Sequence, residues 1–452
     1  MALQRAGLAI GLALVLLAGA GCAGGRFRRA NDPAAWRAAM QPPLSPDAAT
    51  SLSLGVRLHE IIPLALGRNP GVEAERRRWL AAIHVEPQAA SPPDPMIEGG
   101  IQADVPMAGT ERQWNAGIGQ QLPWWGKLRA RGRMAGAQAD IARLQYEAAA
   151  RDLIVDVKDA YYELYYLDQA LPITRAIERL LKNEGLLAYS ELGSGRTQLN
   201  EAFRAESQAA QLGYDRILLE EQRAAQAERL RSLLNLPPGT PIGPVAAAPV
   251  YPVSQSLNDL CRRAERWSQT LRMKGLEVEK ARYDAYLAQL ARLPDPSLGW
   301  MYQANVPGMM GRSMNLIAGS MNLPIWEQRN RALVREKEAM EEAMRRQALD
   351  ETNAARKAVA EAYFQVSLTD RLAGLYARTL LPQAESVMRQ VEIDFRNDQA
   401  EFASVIETTM AYHNFLLAYQ RALADRGQAI GRLEKVLGTT AEPREDAVEV
   451  RR

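Results

Sequence analysis

Apolar and polar positions along this chain follow two periods, and the switch between them occurs twice. From Met96 to Val105, Ile97, Gly99, Ile101, Ala103 and Val105 alternate with Glu98, Gly100, Gln102 and Asp104. From Trp114 to Leu122, Trp114, Ala116, Ile118 and Leu122 alternate with Asn115, Gly117, Gly119 and Gln121. A period of two predicts strands, and each run is about nine or ten residues, the length of a membrane-spanning β-strand. The whole stretch Ser91–Arg129 returns as Leu293–Asn330. Pro93-Asp94-Pro95 recurs as Pro294-Asp295-Pro296, and Val105-Pro106 and Leu122-Pro123 recur as Val306-Pro307 and Leu323-Pro324 at the same offset. In the second copy Leu298, Trp300, Tyr302, Ala304 and Val306 alternate with Gly299, Met301, Gln303 and Asn305, whereas Met314–Leu323 alternates poorly. Each copy predicts two strands around a Gly/Met turn, followed at once by a very long helix. Trp124, Trp125 and Trp326 fall just past the strand ends, where an aromatic girdle meets a membrane interface.

The helical period governs the rest. Leu58, Ile61, Ile62, Ala65 and Leu66 predict a first helix. Asn69-Pro70 interrupts it, and the pattern resumes from Val72 to about Val85; the counterpart is Leu257–Ala291. Gly126 to Gly193 predicts one helix of about 100 Å. Its seam runs through Leu153, Val157, Ala160, Leu164, Leu167 and Leu171 at heptad spacing. Ala355, Val359, Ala362, Val366, Thr369, Ala373, Tyr376 and Leu380 continue the same rule in the second copy. Turns follow at Leu192-Gly193-Ser194-Gly195-Arg196 and Phe395-Arg396-Asn397-Asp398. Return helices then run from Gln198 to Leu236 and up to Leu437-Gly438. A return helix of about 60 Å and a first helix of about 45 Å, end to end, match the uninterrupted helix in length. Each half is therefore expected to be a column of one long helix beside two stacked shorter ones, with strands at one end and the turn at the other.

The expected organisation is a signal peptide at 1–21, an arm at 22–50, a first repeat at 51–236, a Pro-rich linker at 237–256, a second repeat at 257–437 and a charged tail at 438–452. Arg5 and the apolar run Ala6–Ala18 have the charge and length of a signal peptide. Gly19-Ala20-Gly21-Cys22 resembles a bacterial lipobox, with Gly19 where Leu is usual, and would make Cys22 the lipidated first residue. Ordinary cleavage at Ala18-Gly19-Ala20 leaves Cys22 incidental.

Composition narrows the function. A net charge of +2 gives no nucleic-acid footprint. Two Cys and three His provide neither a disulfide framework nor a Cys/His zinc site. His59, His84 and His413 read as isolated surface or packing residues, Ser194 has no evident base partner, and no catalytic constellation emerges. The expectation is a protein that is not an enzyme and carries no cofactor or metal. Four strands cannot close a barrel in lipid, so a membrane reading requires several copies.

Leu58–Pro70 (LHEIIPLALGRNP), the strand-to-helix join Gln121-Leu122-Pro123…Gly126-Lys127, and the turn-plus-helix Tyr189…Gly193…Ala205 with its repeat resemble the TolC-type outer-membrane efflux proteins over essentially the whole mature chain. The resemblance implies a mainly α chain with a membrane β-barrel. It implies a homotrimer whose twelve-stranded barrel in outer-membrane lipid continues as a periplasmic α-helical barrel. It also implies passive export through a periplasmic adaptor from an inner-membrane efflux transporter. The turns at Leu192–Arg196 and Phe395–Asp398 would be the adaptor-contacting tips, with Arg196 and Arg396 as donors. Asp398 replaces the family's usual Gly. Family members close the entrance with carboxylate rings just past the tip, a position that Glu201, Glu401 and Glu407 occupy here; ordinary surface carboxylates are the other reading. Met301, Met309, Met310, Met314 and Met321 suit either a soft metal such as Cu(I) or plain strand packing. Small molecules and metal ions are the expected cargo. The alternatives are a type I protein-secretion duct in the same fold, and a pore-less, lipid-anchored coiled-coil scaffold whose strands are soluble hairpins.

Overall fold

Helix boundaries are set by local capping chemistry. In the computed structural model, which describes residues 52–102, 113–191, 199–245, 253–304, 313–397 and 399–440, α1 (Leu58–Arg68) ends at Asn69. The Asn69 side chain accepts from the N–H groups of Gly71 and Val72 and so caps α2 (Pro70–Ile83), with Pro70 at its first position. A short α3 (Val85–Ala90) leads into β1 (Met96–Gln102) and β2 (Gln113–Gln121). Then come α4 (Trp125–Glu191, 67 residues) and α5 (Leu199–Leu233). The second repeat gives α6 (Leu257–Trp267), α7 (Gln269–Leu290), β3 (Pro296–Ala304), β4 (Met314–Met321), α8 (Glu327–Leu375), α9 (Leu381–Arg396) and α10 (Phe402–Leu437). The signal peptide, Cys22, the turn Leu192–Arg196, Asp398, Met309, Met310 and residues 441–452 lie outside the described residues, as does the Glu201 side chain.

Two features depart from the sequence expectation. The helix expected over Leu257–Ala291 breaks at Ser268, whose backbone is extended at φ −60°, ψ 123°. The cause is tertiary. Gly438, in the left-handed conformation that caps α10, comes so close to the Trp267 carbonyl that an added Cβ would lie 2.3 Å from its oxygen. Gln269 Nε2 donates to the Gly438 carbonyl at 3.2 Å. The first repeat makes the matching clasp, where Asn69 Nδ2 donates to Leu233 O at 3.1 Å and Arg68 to Asn235 O at 3.2 Å. In both repeats the joint between the two short helices grips the end of the return helix. The second departure is a π-helical turn at Tyr376–Leu380 between α8 and α9, which interrupts the predicted heptad seam. Pro382 follows it, and the widened turn accommodates a residue that would otherwise clash with the carbonyl four positions back.

The sheet is a four-stranded antiparallel meander in the order β1-β2-β3-β4. Its central pairing, β2 with β3, joins the two repeats, with Ile118 opposite Trp300 and Trp114 opposite Ala304. Helices line up in the same order below it: α2 and α3 beside α4, α4 beside α7, and α7 beside α8. Farther from the sheet, α5 lies beside α4, α4 beside α10, and α10 beside α8 and α9. The α4 seam is buried at Leu153, Val157, Ala160, Leu164, Leu167 and Leu171, as its heptad spacing predicts. Gly427 of α10 lets the Tyr162 ring of α4 approach, since a Cβ there would meet the ring at 2.3 Å. No described helix is long and apolar enough to cross a membrane.

One ion pair fixes where strands become helices. Lys127 Nζ, buried in the first turn of α4, donates to both Asp295 carboxylate oxygens and to Leu293 O, each at 2.8 Å. Asp295 Oδ1 also accepts from the Trp124 N–H at 3.0 Å. Asn322, just past β4, donates its own N–H to Asp295 O and accepts the Asp295 N–H at its side chain. Removing one partner of such a pair strands the other charge. Asp295→Ala is expected to cost about 3–5 kcal/mol, whereas Lys127→Met with Asp295→Leu costs much less. Thermal unfolding followed by circular dichroism of both variants checks this; an equal loss in the two would refute it.

Candidate functional site

Strand register sorts the sheet into two chemically different faces. Ile97, Ile101, Trp114, Ala116, Ile118, Leu298, Trp300, Tyr302 and Ile317 share one face through direct cross-strand pairs such as Ile97–Ile118 and Trp300–Ile317. Ile97 and Ile101 are 79% and 78% exposed, so in this chain alone that face is uncovered. The opposite face carries Glu98, Gly100, Gln102, Asn115, Gly117, Gly119, Gln121, Ser297, Gly299, Gln303 and Ser320, together with Met96, Met301, Met314, Leu316 and Ala318. It holds a shallow cleft of about 470 Å³ whose lining includes Glu98, Gln121, Ser297 and Ser320. Glycines and polar side chains dominate this face on β1, β2 and β3, which suits water, while β4 is mostly apolar there. Large apolar residues on the other face suit hydrocarbon.

Met314 and Met321 lie at opposite ends of β4, about 23 Å apart at strand rise. Met301 accepts a hydrogen bond from Gln303 Nε2 at 3.7 Å. Met301 and Met314 are diagonal neighbours on one face of the sheet, and Met321 lies away from both. No group of metal-binding His, Cys, Asp or Glu occurs among the described residues.

At the far end of the helices, Ile177, Leu181, Ala202, Ala205, Ala209, Leu212, Phe402 and Ile406 form one core that joins α4, α5 and α10. Of the second turn, Phe395 and Arg396 occupy the last turn of α9. Phe395 packs on this core, its ring centroid 5.5 Å from that of Phe402. Arg396 and Asn397 are exposed. Glu401 is the N-cap residue of α10 without a side-chain cap bond, and Glu407 is exposed a turn and a half farther on. Positions six apart diverge by about 120° around a helix axis, so these two carboxylates do not share a direction. Glu201 belongs to the first turn of α5.

Sequence reasoning did not find the polar lattice between α4 and α5. Glu178, 8% exposed, accepts from Lys182 Nζ at 2.7 Å and from Arg216 Nε at 3.1 Å. Glu220 accepts from Arg175 at 2.7 Å and from Arg216 at 2.9 Å. The Lys182 hydrogen bond leads in holding the Glu178 carboxyl below its ordinary range, against the opposing effect of burial. The i,i+4 pairs within each helix were readable as Glu178–Lys182 and Arg216–Glu220, but the link across helices was not. A groove of about 510 Å³ lies beside the lattice, lined by Glu178, Lys182, Gly185, Leu186, Tyr189, Glu206 and Gly213. Tyr189 donates to Glu206 at 3.0 Å across it.

His59 and His84 are exposed, but His413 is 2% exposed at the α4–α10 contact. Its Nε2 lies 3.4 Å from Thr174 Oγ1, and its Nδ1 is buried without a hydrogen-bond partner. Burial pushes its pKa down, only partly opposed by Asn414 and the charge of Asp215. The fold thus holds the neutral ring, and the unfolded chain binds the proton first. Helix stability is expected to fall as pH drops below about 6.5, the free imidazole value, and the slope is expected to flatten in His413→Leu. Melting temperatures of both proteins across that range check this; parallel profiles would remove His413 as the cause.

With this geometry in hand, residues 104–236 match the family model described as outer membrane efflux protein. No curated protein matches the chain. Among solved structures, the outer-membrane channel OprN aligns at TM-score 0.73 and 16% identity, over 89% of this chain and 98% of its own. The outer membrane protein VceC of Vibrio cholerae aligns at 0.72 and 18% identity, over 85% and 97%. The open-state MtrE outer membrane channel of Neisseria gonorrhoeae aligns at 0.70 and 17% identity, over 89% and 94%. The resemblance read from the residues is borne out, and the fold is that of these channels.

Proposed function

We propose that this chain, which carries an outer membrane efflux protein domain in a fold shared with outer-membrane channels, is the outer-membrane exit duct of a tripartite efflux system. The observation that carries the reading is the sheet itself. It has one apolar face and one that is largely polar on β1, β2 and β3, edges at β1 and β4 that no other described strand pairs, and a direct continuation into long helices. Three copies would supply twelve strands, enough to close a barrel with the apolar face in lipid and the polar face around water. The exposed edges of the helical layer support the same assembly. Phe203, Tyr214 and Ile217 are exposed on α5 at one edge, and Phe364, Leu368 and Ile393 on α8 and α9 at the other. A head-to-tail ring covers one edge with the other.

The duct is passive. Cargo, small molecules or metal ions, enters at the helical tips from a periplasmic adaptor and an inner-membrane transporter. The groove beside Tyr189 and Glu206, the turn Leu192–Arg196 and residues Phe395–Asp398 are the surfaces offered to the adaptor. Residues 1–21 act as the signal peptide and 22–50 as the arm ahead of the repeats at 51–236 and 257–437, with Cys22 as its lipid anchor. Linker 237–256 and tail 438–452 complete the chain. Of the entrance carboxylates, Glu407 is the leading gate residue, because it projects from a regular helix and has no ion-pair partner among the described residues.

Single-channel recording in planar bilayers tests both levels. Purified protein is expected to give discrete, cation-preferring currents that increase several-fold in Glu407→Gln. Discrete currents that Glu407→Gln leaves unchanged would remove that residue from the gate. A bilayer that stays silent with wild type and variant alike would count against a duct.

A further inference from the structure

Both uninterrupted helices begin at the sheet with their cations at the electrostatically unfavourable end. A helix N-terminus carries partial positive charge, so anions belong there and cations do not. Yet α4 opens with Lys127, Arg129, Arg131 and Arg133 and has no acidic residue in its first turn. Helix α8 opens with Arg329, Arg331 and Arg335 against Glu327 alone. Some of these charges are balanced internally: Lys127 by Asp295, Arg331 by Glu327, and Arg133 by a hydrogen bond to Tyr283 OH at 3.1 Å. Arg131 adds its field to Asp295, whose oxygens Lys127 and Trp124 already occupy. Arg129, Arg292 and Arg329 are exposed and have no ion-pair partner among the described residues. Asp94 is the exposed acid on the loop that leads into β1. Arg129, Arg292 and Arg329 therefore leave positive charge free beside the sheet.

The neighbouring residues say which anions. Leu122, Trp124, Trp125, Leu323, Ile325 and Trp326 lie just on the strand side of these arginines, and all are exposed. The Trp124 and Trp125 rings stand 6.0 Å apart. An open cleft of about 640 Å³ is lined by Ile325, Trp326, Glu327, Gln328 and Arg329, so a guanidinium borders an apolar wall. A ligand that fits this order along the chain has hydrocarbon on one side and an anion on the other. We propose that the belt binds anionic phospholipid of the leaflet that faces the helices. Acyl chains lie against the tryptophans, and the headgroup phosphates accept hydrogen bonds from Arg129, Arg292 and Arg329. A planar guanidinium matches a phosphate with two parallel donors, and the helix N-termini add to the attraction. The proposal rests on the membrane reading of the sheet.

The full-length assembly, reconstituted into vesicles, provides the test. Tryptophan fluorescence is quenched with brominated phosphatidylglycerol or with brominated phosphatidylcholine. The expected result is a preference of about fivefold for phosphatidylglycerol, the equivalent of one arginine–headgroup contact per lipid. That preference should vanish near 1 M salt, where charges are screened within about 3 Å, and in a variant with Arg129, Arg292 and Arg329 each replaced by Gln. Equal quenching by both lipids in the wild type would overturn the belt and leave the membrane reading intact. A preference that persists in the three-arginine variant would overturn the assignment to these residues. Protein that stays out of both vesicle types would defeat the membrane reading and the belt together.

Discussion

An open sheet edge inside hydrocarbon leaves a row of N–H and C=O groups with no partner, and each costs several kcal/mol. In the proposed duct that constraint governs assembly. Its sheet has an apolar face fit for lipid and two edges, β1 and β4, that no other described strand covers. A sheet so built is stable in a membrane only when copies pair edge to edge. In the proposed ring, β4 of one copy meets β1 of the next. The helices follow the strand order, and the same ring would cover large apolar side chains such as Phe203 and Phe364, exposed at the outer edges of the layer.

The duplicated design meets a second constraint, that four strands and four helical columns must stay in one register over about 100 Å. Two kinds of polar joint hold it. At the sheet, Lys127 and Asp295 tie the first long helix to the loop before β3. At mid-length, each pair of stacked helices grips the end of its own return helix, through Asn69 and Arg68 in one repeat and Gln269 in the other. Beyond the mid-length joint, the α4 seam from Leu153 to Leu171 is apolar and is flanked by the ion pairs Lys158–Glu434, Arg421–Glu163 and Arg223–Asp168. The polar groups fix position, and the apolar seam supplies most of the burial.

Much of this was legible in the sequence, for identifiable reasons. The alternation at Ile97, Ile101, Trp114 and Ile118 is visible because the two faces of these strands carry different side chains. Asn69-Pro70 announces a helix boundary because Asn caps and Pro starts helices. The break at Ser268 was not legible, since serine imposes no backbone restriction and the cause is the approach of Gly438. The π-turn before Pro382 escaped because a heptad pattern runs through it unbroken in the sequence. The pairing of Lys127 with Asp295 spans 168 residues, and neither residue alone suggests the other. His413 read as a surface or packing residue, and only the structure shows that it is buried with an unpartnered Nδ1.

The central claim is that copies of this chain close one barrel. Native mass spectrometry of the detergent-extracted protein, with electron microscopy of the same sample, tests it most directly. The account predicts a particle of three times the mature chain's mass, hollow along its axis, with a helical shaft of about 100 Å. A single-copy rod that leaves the membrane without detergent would contradict it.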